Sequence, residues 1–440
     1  MTYKEARVYL DEVSKYGSVL GLDTIRGLLD ELGNPQESLR FIHIAGTNGK
    51  GSILAFISTI LSEVGMRIGR YISPTVISYL ERIQVDGHWI PEEEFTELVE
   101  EVQKAIVRME ADGKASPTVF EIETAIAFLY FRKMHCDFVV LETGLGGSQD
   151  ATNVIKNTMI AAFATISRDH MGVLGDTLEE IAHEKAGIIK PGCVVVSASQ
   201  EPEVRRVLEE CAEQKGCPIV FAEPEKVEVT EENYRGQTFS YKDWKEIQIS
   251  LAGRYQIVNA VTVCEVIRVW NQLEFGKHIP ESSVRRGFAQ TMWPGRFTCI
   301  SEKPIFIVDG AHNEDAAKRL CETMKTYFPE KKLIYIMGVF RDKEYQKIAE
   351  IMAPMASGIY TVNLPNQERT LDAETLKEVV ESHCMGNVYA VGEIEKAVAE
   401  AGKKAGEEDV ILAFGSLSYL GQVMEIVKQT GQTEQDKPIK

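Results

Sequence analysis

The sequence predicts an α/β protein: a parallel-sheet domain with a phosphate-binding (P-) loop and a small β insertion, followed by a smaller, Rossmann-like α/β domain. Three observations carry this. Short, continuously apolar runs alternate with helix-length amphipathic stretches through most of the chain, as in strands buried on both faces. The first such run ends in a Gly-rich turn and an apolar helical stretch, the layout of a loop that cradles phosphate. The rhythm then restarts after Trp293-Pro294-Gly295-Arg296. A chain of 440 residues exceeds what one hydrophobic core holds. We therefore expect a domain over 1–295 and a second over 296–440.

In chain order, the expected strands of the first domain are Phe41–Ala45, Ile68–Ile72, Phe138–Glu142, Ile160–Ile166 and Val194–Ser197. Each is short, rich in Val, Ile or Phe, and bounded by turn residues. Between about Val227 and Ser250 polar and apolar residues alternate around Asn233 and Gly236, which predicts a small antiparallel meander. A helix over Gln256–Trp270 follows. In the second domain Pro304–Val308, Leu333–Met337, Gly358–Asn363, Asn387–Val391 and Asp409–Phe414 read as strands. The polar tail from Gln429 onward is expected to fray.

The formal net charge of −18 disfavours nucleic acid or an anionic membrane surface as partner. No apolar run nears the roughly 20 residues that span a bilayer, and the N-terminus does not resemble a signal peptide. The eight cysteines are scattered without a C-x-x-C pair, as expected of reduced thiols in a cytoplasmic protein rather than a zinc site.

Four clusters carry chemistry. In Gly46-Thr47-Asn48-Gly49-Lys50-Gly51-Ser52, backbone N–H groups and the Lys50 ammonium suit phosphate oxygens, and the Ser52 hydroxyl suits Mg²⁺. The strand 138–142 delivers Glu142 to its carboxyl end, where ligands collect in open α/β sheets and where a carboxylate can hold a cation. After the strand that ends at Ile166 comes Arg168-Asp169-His170, in which His170 is a candidate ligand for a second cation. In His183-Glu184-Lys185-Ala186-Gly187, Lys185 is expected near a helix C-terminus with Gly187 as its cap, a placement that also suits the helix dipole. An acidic chain needs a local basic pocket for anionic substrates, and Lys50, Arg82, Lys190, Arg254, Arg296 and Arg341 are candidates for it.

Taken in order, GTNGKGS, LETGLGGSQDATN, RDH, EKAGI, Trp293-Pro-Gly-Arg296 and Val308-Asp309-Gly-Ala-His312-Asn313 resemble the folylpolyglutamate synthase/dihydrofolate synthase family of the Mur ligase superfamily. The likeness runs from about Gly17 to Gly421. It implies an ATP-dependent ligase that joins L-glutamate to a reduced folate or to dihydropteroate through an acyl phosphate. Gly46, Thr47, Asn48, Gly49, Lys50, Gly51 and Ser52 would hold the nucleotide phosphates. Ser52, Ser73 and Glu142 would bind one Mg²⁺, and Glu142, His170 and Lys185 a second. Lys185 would be carbamylated, since an ammonium cannot ligate a cation. Arg296 would contact phosphates, Asp309 the ribose region, His312 the γ-phosphate or acyl phosphate, and Asn259 would lie near the adenine. Thr118, Phe120, Asp150 and Ala151 would shape the pterin pocket, with the Phe120 ring able to stack on a heterocycle. The C-terminal domain would close over ATP, and a monomer is expected.

The chain departs from the family pattern at Thr75, at Tyr255 (usually His), at Ser148-Gln149 (Arg-Leu in bifunctional members) and at Glu344 in Asp342-Lys343-Glu344. The missing arginine bears on dihydropteroate use. Two other readings stay open: a Mur-type ligase for another acid such as a UDP-muramoyl precursor, and a nucleotide-binding module without turnover.

Overall fold

The computed structural model describes residues 1–14, 21–169, 174–273 and 276–435, with 431–435 by backbone alone. The chain forms two compact units, one of residues 1–73, 80–227 and 258–291, the other of 74–79, 228–257 and 292–440.

The first unit holds β1 (Phe41–Ala45), β2 (Ile68–Tyr71), β3 (Ile83–Val85), β4 (His88–Trp89), β5 (Phe138–Glu142), β6 (Thr158–Phe163), β7 (Val194–Ser197) and β8 (Ile219–Phe221). They form one sheet in the order β4-β3-β2-β5-β1-β6-β7-β8. From β2 to β8 the neighbours run parallel, and β3 and β4 add an antiparallel edge. β1 and β5 are buried at every residue, which is why they read as apolar runs, broken only by His43 and the terminal Glu142. The edge strands β4 and β8 and the adjoining β3 have at most three residues each, too few to show a period. β6 begins two residues earlier than expected and leaves the sheet at Phe163. The Thr165 carbonyl accepts from Thr47 and Asn48 N–H instead of a ladder partner.

The second unit contains β9 (Val227–Asn233), β10 (Gly236–Tyr241) and β11 (Trp244–Ile249) in a three-stranded sheet ordered β11-β10-β9. Phe239, Tyr241, Ile247 and Ile249 form its buried face, the alternation the sequence displayed. A six-stranded sheet follows, ordered β12-β13-β17-β14-β15-β16, from β12 (Thr298–Glu302), β13 (Ile305–Val308), β14 (Leu333–Met337), β15 (Gly358–Val362), β16 (Asn387–Gly392) and β17 (Val410–Phe414). Only β12 pairs antiparallel in it. That edge strand was not anticipated, because its residues are half-buried and polar in part. Where the polar tail was expected to fray from Gln429, the last helix, Leu420–Gln435, continues to Gln435; the rest of that tail, 436–440, lies outside the described residues.

Candidate active site

Four adjacent strands of the first sheet, β2, β5, β1 and β6, end side by side and deliver the polar clusters to one edge. Ser73 follows β2, Glu142 ends β5, the Gly46–Ser52 loop follows β1, and Thr165–Asp169 follow β6. In the loop Gly46 has φ +148° and Gly49 φ +100°. A Cβ on Gly46 would lie 2.7 Å from the Ala164 Cβ, and one on Gly49 would strike the Asn259 carboxamide. Both glycines are therefore required by the fold of the loop. Asn259 packs against Gly49, so its carboxamide supports the loop from the same unit. Two bonds stitch the loop to the segment after β6, with the Thr47 hydroxyl donating to Ser167 O at 2.9 Å and accepting from Ser167 N–H at 3.0 Å.

The helix Lys50–Glu63 starts at Gly49 with no side-chain cap. Its first amides and the positive end of its dipole thus suit an anion. Lys50 Nζ folds back to donate to Gly46 O at 3.2 Å and lies 3.9 Å from the Glu142 carboxylate. Ser52 is buried in the first turn.

Lys185 joins this group from the helix Leu178–Ala186. Far from being a surface complement to the helix dipole, its side chain is buried and Nζ donates to Gly46 O at 3.0 Å. Burial, reinforced by the Lys50 charge, pushes its amine down to about 7. Gly187 caps this helix as expected but in ordinary right-handed geometry, φ −57°. It is glycine because a Cβ would collide with Ser148. Likewise a Cβ on Gly147 would lie 2.6 Å from Glu184 O and 2.7 Å from Lys185 O. The two backbones are zipped further by Asn153, whose Nδ2 donates to Ser148 O and Gly187 O. Ser148 Oγ is tied to the Glu184 carboxylate. His170 lies outside the described residues, and among the described residues no group of three His, Cys, Asp or Glu side chains could hold a metal.

The Gly144–Asn153 loop carries two of the expected substrate residues, Asp150 and Ala151. Asp150 is buried, and burial raises its pKa. Its Oδ1 accepts from the Thr152 hydroxyl at 2.5 Å and Thr152 N–H at 3.0 Å, and its Oδ2 from Leu145 N–H at 2.8 Å. Asp150 thus caps the short 3₁₀ turn Ala151–Val154, in which Ala151 is buried. Thr118 is a helix N-cap, its hydroxyl engaged with Glu121 in a capping box. Phe120 is half-buried, its ring against Gly144 and tilted over Tyr71 at 5.9 Å. Sequence reasoning passed over His43, a fully buried histidine in β1 whose Nε2 lies 2.9 Å from the Thr152 hydroxyl. The available signal was one polar residue within a continuously apolar strand.

In the second unit the turns after β13 and β17 converge. Asp309 follows β13 and is buried, which raises its pKa against the pull of Arg296. Its Oδ2 accepts from the Tyr255 hydroxyl at 3.0 Å and Phe297 N–H at 2.8 Å, its Oδ1 from Ala311 N–H at 2.9 Å. Three of a carboxylate's roughly four acceptor sites are thereby filled. Tyr255, a departure from the family pattern, is thus a partner of Asp309. Arg296 lies against Gly310, where a Cβ would meet its guanidinium. His312 Nδ1 is 2.8 Å from Gly310 O. The carbonyl can only accept, so in the neutral ring the proton is on Nδ1 and the lone pair on Nε2. Asn313 caps the helix Glu314–Tyr327. Gly415, after β17, has φ +108° and donates its N–H to Ala311 O at 3.0 Å.

Of the other basic candidates, Arg82 pairs with buried Glu123 at 3.2 Å and Arg254 with Glu232. Lys190 donates to Asn153 O and Arg341 to Thr370 O. Arg82 and Arg254 are thus engaged with carboxylates, and Lys190 and Arg341 with main-chain carbonyls.

Residues 44–267 match the Mur ligase middle domain and residues 295–417 the Mur ligase glutamate ligase domain. A dihydrofolate synthase/folylpolyglutamate synthase of Bacillus subtilis is 34% identical over 97% of this chain and 99% of its own length. The folylpolyglutamate synthase of Mycobacterium tuberculosis, solved with ADP and AMPPCP, superposes with a TM-score of 0.86 at 27% identity, over 97% of this chain and 98% of that one. Escherichia coli FolC, solved with DHPP and ADP, superposes with a TM-score of 0.85 at 29% identity over the same shares.

Proposed function

The chain belongs to the Mur ligases, in the folylpolyglutamate synthase/dihydrofolate synthase family, and from this premise we propose that it is an ATP-dependent ligase adding L-glutamate to the γ-carboxylate of reduced folates. The observation that carries the reading is the convergence of Lys50 and Lys185 on Gly46 O beside Glu142, beneath an uncapped helix N-terminus. A nucleotide-binding module has no use for a second, desolvated lysine at that point. A UDP-muramoyl acid is disfavoured, since the relatives that align along the whole chain are named for folate.

The acid's carboxylate attacks the γ-phosphorus of ATP, giving an acyl phosphate and ADP. The amine of L-glutamate then attacks the acyl carbon, an amide forms, and phosphate leaves. Gly46, Thr47, Asn48, Gly49, Lys50, Gly51 and Ser52 hold the triphosphate, whose charge the loop amides and Lys50 neutralise. In the second unit we assign Arg296 and His312 to phosphate oxygens. Asp309 keeps one acceptor site for a ribose hydroxyl. Asn259 acts on the nucleotide by supporting the loop. We assign the functional modules to 1–295 and 296–440, in keeping with the two family matches.

Ser52, Ser73 and Glu142 offer hard oxygen donors suited to one Mg²⁺, and Glu142, His170 and Lys185 the set for a second. When bound, the ions neutralise charge on the transferring phosphoryl group. Lys185 fits this set only as a carbamate, and a buried amine lowered to about 7 keeps the neutral fraction that reacts with CO₂. Thr118, Phe120, Asp150 and Ala151 are assigned to the pterin pocket. No described helix is long and apolar enough to cross a membrane, and we assign the enzyme to the cytoplasm as a monomer.

The test is phosphate release with Mg²⁺, ATP and L-glutamate, supplying a reduced folate monoglutamate, dihydropteroate or no acid. Glutamate-dependent turnover with the folate is expected. Turnover with dihydropteroate as well would make the enzyme bifunctional despite Ser148-Gln149, and no turnover with either acid would overturn the assignment.

A further inference from the structure

A histidine in the middle of a parallel sheet is an expensive choice. His43 is fully buried in β1 between β5 and β6, where neighbouring positions hold Ile42 and Ile44. Burial pushes its ring down to about 3, so it is neutral. Its Nδ1 has no hydrogen-bond partner, a loss that a valine or isoleucine would avoid. Such a group is retained where its other nitrogen does something an apolar side chain cannot.

That nitrogen starts a directed chain. The Thr152 hydroxyl lies 2.5 Å from Asp150 Oδ1 and 2.9 Å from His43 Nε2. A hydroxyl has one proton, and it goes to the carboxylate, so His43 Nε2–H donates to Thr152 Oγ1. Asp150 in turn accepts from Leu145 N–H, and Gly144 carries the Phe120 ring, which a Cβ there would meet at 2.6 Å. One line thus runs from the buried strand that feeds the phosphate loop, through buried Thr152 and Asp150, to half-buried Leu145 and to exposed Gly144 against the Phe120 ring.

We propose that His43 is a positioning residue for the acid substrate, acting through Thr152 and Asp150 to set the Gly144–Asn153 loop and the seat of Phe120. It touches neither nucleotide nor acid. The link to the acid rests on the pterin pocket assigned above, whereas the link to the loop does not.

The variants are His43→Leu, which removes the donor, His43→Gln, whose Nε2 can replace the ring Nε2–H, and Thr152→Val. In wild-type enzyme that turns over a reduced folate, His43→Leu and Thr152→Val are expected to raise the KM for the folate about tenfold, the loss of one buried hydrogen bond. The KM for ATP is expected to stay within about twofold, and the double variant to be no worse than either single one. His43→Gln is expected to restore the folate KM. An unchanged folate KM, an equal rise in both KM values, or failure of His43→Gln to rescue would overturn the proposal. Amide hydrogen exchange at Leu145 and Thr152 reads the same line without any substrate. Faster exchange in His43→Leu but not in His43→Gln is expected, and unchanged protection would overturn the positioning role even if the folate assignment itself failed.

Discussion

At Gly49 the backbone turns with φ +100° directly over the Asn259 carboxamide, so both backbone conformation and space exclude a side chain. Gly49→Ala should cost ATP affinity at least about tenfold, from strain of roughly 1–2 kcal/mol plus displacement of Asn259, with the far-ultraviolet circular dichroism retained. Calorimetric titration with ADP checks this. The Tyr255 hydroxyl is one of three donors to buried Asp309. Tyr255→Phe should lower stability by about 1 kcal/mol, read as a shift of the denaturant midpoint at unchanged m-value. For Lys185, ¹³C NMR in ¹³C-bicarbonate should show a carbamate resonance that is absent in Lys185→Met. Its absence from the wild type would leave the second cation without that ligand.

The helix Leu178–Ala186 exists to bring Lys185 under the phosphate loop. It opens with a capping box in which Thr177 accepts from Glu180 N–H, and Glu180 accepts from Thr177 N–H in return. Thr177→Ala should cost about 1 kcal/mol, read in thermal unfolding, with a larger proportional fall in kcat because Lys185 loses its register. Its other end is fixed by shape rather than by hydrogen bonds alone. Gly187, against Ser148, and Gly147 of the Gly144–Asn153 loop, against Glu184 O and Lys185 O, are the close-approach points. Two glycines in a sequence look like turn residues, and only the facing backbone shows that they are contact residues.

Two buried bases, His43 and Lys185, each contribute a slope to the pH dependence of stability. His43 titrates at about 3 in the folded chain and near 6.5 unfolded. Between those values the unfolded chain binds the extra proton, so the contribution of neutral His43 is full above about 6.5 and is lost as pH drops toward 3. Lys185 titrates at about 7 folded and near 10.4 unfolded, so in uncarbamylated protein stability rises between pH 7 and 10. Denaturant titrations should show both slopes, the acid one flattened in His43→Gln and the alkaline one in Lys185→Met. The parallel sheets, the polar clusters at strand ends and the phosphate loop could be read from the residues alone, because buried parallel strands are largely apolar runs and a phosphate loop is local backbone chemistry. Edge strands of three residues or fewer, the company Asp309 keeps with Tyr255, and the line from His43 to Asp150 could not. They join residues 54 and 107 positions apart, and distances in space across such separations are set by how helices and strands pack, which no local pattern encodes.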